Sequence, residues 1–312
     1  IQKSFGPSYE LIVMTSSETL ASEGIANCTV IHSTDLPASK RNIGAKLAKG
    51  RYIAFFDDDV TVNNDCLHVF FQFLEINPKV SMVYGKLYNM EHRDRLDEAG
   101  SFLTSLGFLW SRAEQNIVDD GRFNKVEYIL SGKSASCMVR KKDLYSIQGF
   151  DEDFGILGEE TDLSWRLWLK GHKTMFLPEA IGYHAFNTKF KPAKQYYTSK
   201  RVHMNGPRNY VTMLIKNLEM KSLIRILPIH ITLWLISSIC MVLTFKPMQG
   251  INIIQGLAQA VINLPDTLRK RRKLQNSRVI GDKELFTYIL RNPSRAYYWN
   301  RFRRYLSIGL HG

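Results

Sequence analysis

The chain is expected to fold as an α/β sandwich with a mostly parallel central sheet, followed by a basic helical region. Three observations point there. Short apolar runs ending in polar turns alternate with helical patterns along the front of the chain. An acidic cluster stands directly behind one of those runs. Charge is also split: residues 1–188 carry 20 basic and 25 acidic side chains, whereas residues 189–312 carry 22 and 4. The formal net charge of +13 therefore belongs to one end of the molecule. An acidic front and a basic tail separate chemistry from attachment to something anionic. With 312 residues, 45% of them hydrophobic and 23% charged, the chain can bury a substantial core, and global disorder is excluded.

Glu10-Leu11-Ile12-Val13-Met14 reads as a buried strand stopped by Thr15-Ser16-Ser17-Glu18, and Thr29–His32 as a second. Residues 38–49 have helical spacing, with Ile43 and Leu47 one turn apart and Gly50 placed to end the helix. Arg51–Phe56 is a strand running into Asp57-Asp58-Asp59. Asn64 is positioned to cap a helix from Asp65 to Ile76, which Pro78 closes, and Val80–Leu87 is the next strand. Strand and helix in this alternation predict the α/β class. Cys28, Cys66, Cys137 and Cys240 show no CxxC or metal-ligand spacing and read as reduced thiols of a cytosolic environment.

A catalytic domain is expected over 1–190 and a basic, helical, membrane-associating region over 191–312. Ile226–Phe245 holds 20 residues without a formal charge, about 30 Å as a helix. Pro228, His230 and two serines make it a middling span, and a buried helix of a soluble domain is the plainer alternative. In 247–265, Gln249, Asn252, Gln255, Gln259 and Asn263 form a polar stripe, so that segment should be amphipathic and lie on an interface. Arg269-Lys270-Arg271-Arg272-Lys273 follows. A single crossing at 226–245 would carry that run to the far side, which the positive-inside tendency disfavours. A re-entrant or in-plane arrangement on the cytoplasmic leaflet keeps both basic flanks near anionic lipid.

Side chains alternate along a strand, so Asp57 and Asp59 are expected to point the same way at the sheet edge where ligands of α/β sheets gather. Two carboxylates there suit Mg²⁺ or Mn²⁺, although an acidic surface turn would explain the triplet alone. A second cluster, Glu159-Glu160-Thr161-Asp162, opens a helix, where acidic residues also complement the helix dipole. Leu163, Leu167 and Trp168 supply its inward face, leaving Glu159 and Glu160 free for a ligand, and a carboxylate near a substrate hydroxyl is a general base. His184, though a lone histidine is more often structural, could join two Asp oxygens in a divalent site.

Taken in order, these stretches resemble the inverting family-2 glycosyltransferases of GT-A fold, in particular membrane-associated, rhamnosyltransferase-like members that build surface polysaccharide. The resemblance covers roughly residues 9–187. It rests on Asn42-Ile43-Gly44, Tyr52–Asp59, Ser131-Gly132-Lys133-Ser134-Ala135-Ser136, Gly149-Phe150-Asp151-Glu152, Glu159–Arg166, Pro178-Glu179-Ala180 and Tyr183-His184. It implies a transferase of hexosyl type that moves a sugar from a nucleoside diphosphate to a glycan or lipid-linked glycan, with Mg²⁺ or Mn²⁺ as cofactor, in cell-wall or other polysaccharide synthesis.

The same resemblance implies roles. Glu160 is the general base, with Asp162 and Glu159 beside it in the catalytic cluster. Asp57, Asp58, Asn42 and Ser16 bind the donor; Gly132, Lys133, Ser134, Trp165 and Arg166 bind the acceptor. Asp59, Asp57 and His184 hold the metal. The site is expected on the cytoplasmic face of the membrane, without nucleic-acid partners. Two departures stand out. The chain enters at what looks like the family's second strand, so the first strand–helix unit is expected to be missing and the donor-base end lacks its usual Asp. Position 160 is Glu where the family has Asp. A sugar nucleotidyltransferase and a non-catalytic, membrane-bound degenerate transferase acting as a scaffold are the alternatives.

Overall fold

A computed structural model describes residues 8–17, 27–113, 117–185 and 200–307 of the chain. They divide into two compact units, the first formed by residues 1–100 and 111–185 and the second by 101–110 and 186–312. The expected boundary after residue 190 falls outside the described residues.

In the first unit, β1 (Leu11–Thr15) and β2 (Cys28–His32) form a two-stranded parallel sheet. Helix α1 (Pro37–Leu47) packs on β1, where Gly44 approaches Met14. It ends before Gly50, because Oε1 of Glu10 takes the backbone N–H groups of both Lys49 and Gly50, at 2.5 and 3.2 Å. Next come β3 (Tyr52–Phe56), β4 (Val60–Val62), α2 (Cys66–Ile76), β5 (Val80–Asn89) and β6 (Arg95–Glu98). After β7 (Ser101–Leu103) and β8 (Leu109–Ser111), a hairpin assigned but for Ser111 to the second unit, the chain returns through β9 (Ile117–Val118), β10 (Glu127–Tyr128) and β11 (Ser136–Arg140). Helices α3 (Lys141–Ser146) and α4 (Glu159–Leu169) and strand β12 (Lys173–His184) complete the unit.

The central sheet runs β10-β12-β5-β11-β3. It is mixed rather than mostly parallel. Strands β5 and β12 pair in parallel, but β11 lies antiparallel between β3 and β5. Alternation of strand and helix registers direction only for consecutive βα units, and β11 arrives after a long excursion through short strands. Helix α2 lays Cys66, Phe70 and Leu74, spaced one turn apart, onto Val80, Val83, Met138 and Leu177. Its N-cap residue is Asp65 rather than Asn64, without a side-chain capping bond.

The second unit is helical. Its described helices are α5 (Lys200–Asn217), α6 (Met220–Leu243), α7 (Pro247–Ile262), α8 (Leu264–Asn276), α9 (Asp282–Ile289) and α10 (Arg295–Ser307). Residues 101–110 of the β7–β8 hairpin belong to this unit. Leu106 O accepts from Nδ1–H of His230 at 2.9 Å, and Phe108 sits among Tyr210, His230 and Trp234. Burial holds the His230 imidazole neutral, down at about 4. The polar stripe of α7 is divided between two sides: Gln255 and Asn263 are exposed, Gln249 and Gln259 half-buried, and Asn252 buried. Asn252 is buried with Gly250, Ile253, Gly256 and Ala260, while Met248, Ile251, Ile254, Val261 and Ile262 are exposed.

Candidate active site

The acidic triplet sits in a tight turn. Extended geometry stops at Phe56, and the N–H of Val60 reaches back to Asp57 O at 3.2 Å before β4 begins. The strand alternation that would align Asp57 with Asp59 therefore does not apply, and the two carboxylates engage different partners. Asp57 Oδ1 is held at 2.8 Å by Nη2 of Arg41, whereas Asp59 Oδ1 lies 3.2 Å from Nε2 of His184. Asp58 is exposed.

His184 comes from the far end of β12, which pairs with β4 so that His184 stands opposite Val60. Its other nitrogen, Nδ1, is 2.8 Å from Oδ2 of Asp97, and Nζ of Lys133 donates to the same oxygen at 2.6 Å. An imidazole between two carboxylates must donate from both nitrogens and is therefore a cation. Burial alone would lower its proton affinity, but the hydrogen bonds to Asp59 and Asp97 outweigh that and raise it to about 9. The His184 hydrogen bond in turn lowers Asp59. Burial would raise Asp97, but Lys133 and His184 bring it down.

Helix α4 opens at Gly158, whose φ of +88° is left-handed backbone that glycine adopts without a steric cost. From Thr161 onward every side chain is buried, so the helix meets a ligand only through its first turn. There Glu159 Oε1 accepts from Nη1 of Arg41 at 3.1 Å. Arg41 thus joins Asp57 to Glu159, and the two carboxylates raise its proton affinity against the opposing effect of burial. Glu160 is partly exposed and leans on Glu159. Desolvation first, and then the neighbouring Glu159 charge, hold its carboxyl well above the usual carboxylate range. Two adjoining carboxylates with one guanidinium leave one of them holding a proton.

The remaining expected residues divide. Lys133 reaches the site through Asp97. Gly132 and Ser134 are buried beneath it. Trp165, with none of its surface exposed, and Arg166, 7% exposed, do not line an acceptor surface, because α4 turns that side into the core. Arg166 donates to Asp162 at 2.7 Å and to Ile147 O at 2.6 Å, so Asp162, wholly buried, is a structural partner rather than a catalytic neighbour. Asn42 is likewise occupied. Its Oδ1 accepts from the N–H of Phe150 at 2.8 Å, and its Nδ2 donates to Phe150 O and Glu152. Gly149, at φ +70°, makes room for that side chain, since a Cβ there would lie 2.4 Å from Asn42 Oδ1. Ser16 borders an open cleft of about 420 Å³ with Ile31, His32, Asp35 and Ile43; Glu18 lies outside the described residues.

Arg41 and Asp97 were not singled out in the sequence. Arg41 stands immediately before the Asn42-Ile43-Gly44 stretch, whereas Asp97 lies in a strand, Arg95–Glu98, three of whose four residues are charged, so nothing in its local sequence signalled burial. Asp59 and His184 fit a divalent cation as one hard oxygen and one imidazole on a partly open edge, with Asp59 44% exposed. Asp57, drawn to Arg41, does not join them, and no group of three ligating side chains converges among the described residues. The remaining ligands of such an ion would come from substrate oxygens and water.

Residues 52–262 match the family described as Glycosyl transferase family group 2. N-acetylgalactosaminyltransferase 4 of Drosophila melanogaster is 25% identical over 158 residues, 49% of this chain and 24% of that protein, so the chain spans about a quarter of that relative's length. Among solved structures, S. aureus TarS 1–349 in complex with UDP-GlcNAc is similar at a TM-score of 0.54 and 17% identity, over 98% of this chain and 83% of that one. GalNAc-T7 with UDP, GalNAc and Mn²⁺ gives 0.52 and 10% identity, over 82% and 51%. The fold is the GT-A α/β fold with a helical C-terminal region. Since the family match spans well over half of its residues, the chain belongs to glycosyl transferase family group 2.

Proposed function

We propose that the protein is an inverting, divalent-metal-dependent hexosyltransferase that moves a sugar from a nucleoside diphosphate to a glycan acceptor carried on lipid, in the synthesis of cell-surface polysaccharide or glycoconjugate. The observation that carries the reading is the pairing, within one unit, of Asp59 with His184 and of Glu159 with Glu160. One pair is suited to a metal-bound diphosphate and the other to a hydroxyl proton. Mn²⁺ accompanies UDP and GalNAc in the GalNAc-T7 structure, and UDP-GlcNAc occupies a TarS structure.

Asp59 and His184 would hold Mg²⁺ or Mn²⁺, which when bound neutralises the charge building on the departing diphosphate. Arg41 keeps Asp57 and Glu159 in place and places a cation beside them. The cleft beside Ser16 offers apolar walls from Ile31 and Ile43 and the carboxylate of Asp35, a combination that suits a flat base with ribose hydroxyls. Glu160, whose proton affinity is raised, accepts the acceptor hydroxyl's proton as that oxygen attacks the anomeric carbon. One displacement with no covalent intermediate inverts the configuration there. The lipid-linked acceptor is supported by the outward apolar surface of the second unit.

Thermal stabilisation by UDP, GDP, dTDP and CMP, each with and without Mn²⁺, tests the donor site. Saturation at about 100 times the dissociation constant adds about 2.7 kcal/mol. A base-selective, metal-dependent shift is expected; no shift with any nucleotide moves the reading to a non-catalytic scaffold. Transfer to free oligosaccharide as efficient as transfer to lipid-linked glycan would remove the lipid part.

A further inference from the structure

Helix α6 is inside-out. Its buried side holds His230, Ser237 and Ser238 together with Leu223, Ile226, Trp234 and Met241. The polar groups on that side are spoken for: His230 by Leu106 O and by the indole N–H of Trp234, and Ser238 by Gly250 O at 2.9 Å. Its outer side carries Ile229, Leu235, Ile236, Ile239, Val242 and Leu243 as an exposed apolar stripe, broken once by the exposed Thr232. Helix α7 exposes Met248, Ile251, Ile254, Val261 and Ile262, with Gln255 among them.

The two helices form an antiparallel hairpin, since Ser238 and Val242 meet Gly250 while Trp234 packs with Ile253 and Leu257. Both helices also pack on α5, and their apolar stripes are among their exposed residues. At the turn, Leu243 is 72% and Phe245 95% exposed, and Phe245 is held at φ +57°, a left-handed backbone that an aromatic residue adopts only against strain. Exposed basic residues flank these stripes: Lys221 and Arg225 beside the exposed Met220 and Ile224 at the start of α6, Arg272 and Lys273 on α8, and Arg303 and Arg304 on α10, whose Leu306 O accepts from Lys246 at the turn.

We propose that this hairpin face docks into a single leaflet of an anionic membrane, with Leu243, Phe245 and Met248 buried among acyl chains and the flanking basic residues engaging lipid phosphates. The charge complementarity selects lipid over a second copy of this basic chain. Helix α6 is, among the described residues, the one helix long and apolar enough to cross a bilayer, yet its inner side is hydrogen-bonded to its own unit, so only the outer half is free for lipid. The inference does not depend on the donor chemistry proposed above.

The test is co-sedimentation of the full chain with phosphatidylcholine vesicles, with and without phosphatidylglycerol. The wild type should bind the anionic vesicles at least about tenfold more tightly, and weaken as salt rises. Leu243→Asp with Phe245→Asp, and separately Arg272→Glu with Lys273→Glu, should each lower binding about tenfold or more. Far-UV circular dichroism unchanged from wild type shows that the variants are folded. No vesicle binding by the wild type overturns the proposal. So does a dimer in sedimentation velocity that the Leu243→Asp, Phe245→Asp variant disperses, because the face is then covered by a second copy. Labelling of Phe245→Cys in cells by an impermeant maleimide from outside would show a crossing and overturn it as well.

Discussion

Nε2 of His184 lies 3.2 Å from Oδ1 of Asp59, which ties the last strand of the catalytic unit to the acidic turn behind β3. Without a ligand the pair is a salt bridge, and a metal can enter only by displacing the imidazole proton. With that proton held up to about 9, binding of Mn²⁺ at neutral pH should release close to one proton. Calorimetry in two buffers of different ionisation enthalpy would measure it. The apparent affinity should rise roughly tenfold per pH unit up to that value.

The same shift bears on stability. A histidine whose proton affinity is raised on folding contributes fully below its unfolded value of about 6.5, and the contribution is lost as pH rises through the folded value of about 9. The metal-free protein should lose on the order of 3 kcal/mol over that window. His184→Asn should flatten the pH dependence of the melting temperature; an unchanged slope would place the titration elsewhere.

Asp57 and Asp59 should behave differently despite their proximity. Asp59→Asn should abolish the metal-dependent part of nucleotide stabilisation, since it removes the oxygen facing His184. Asp57→Asn should leave that part in place and loosen Arg41 instead. Equal loss of metal dependence in both variants would show that Asp57 reorients to share the ion.

Glu160→Gln should lower kcat by roughly 10²–10⁴ while nucleotide affinity stays constant, because the amide cannot accept the hydroxyl proton. Since the carboxyl is held well above its ordinary range and works as a base only when ionised, the rate of the wild type should increase as pH rises through that raised value. A flat pH–rate profile would argue for another base.

Arg41→Ala leaves the nearly buried Glu159 carboxylate without its cation, a loss of roughly 1–3 kcal/mol. Adding Glu159→Gln should restore most of it, as chemical denaturation of the double variant would show. Trp165→Ala should cost roughly 3–5 kcal/mol as a core cavity. The folded fraction of that variant should keep its acceptor KM, because the indole has no exposed surface.

What was legible in the amino-acid order was local. Apolar runs, helical spacing and turn residues located β1, β2, β3, β5, α1, α2 and the first turn of α4 to within a few residues, because those choices depend on neighbours in the chain, whereas the short β4 went unseen. The acidic turn and Glu159-Glu160 stood out for the same reason: clustered like charge behind an apolar run is conspicuous in one dimension.

Which carboxylate meets which cation was decided by the tertiary structure. Asp59 finds His184 across 125 positions only because β4 pairs with β12, and Asp57 is drawn to Arg41 because α1 lies beside it. Burial was decided there too. Trp165 and Arg166 follow the acidic turn of α4 in order, yet α4 is covered on every side beyond its first turn. On α7 the polar stripe is split, with Asn252 buried and Gln255 exposed, because the packing of neighbouring helices selects which residues of a periodic pattern are covered.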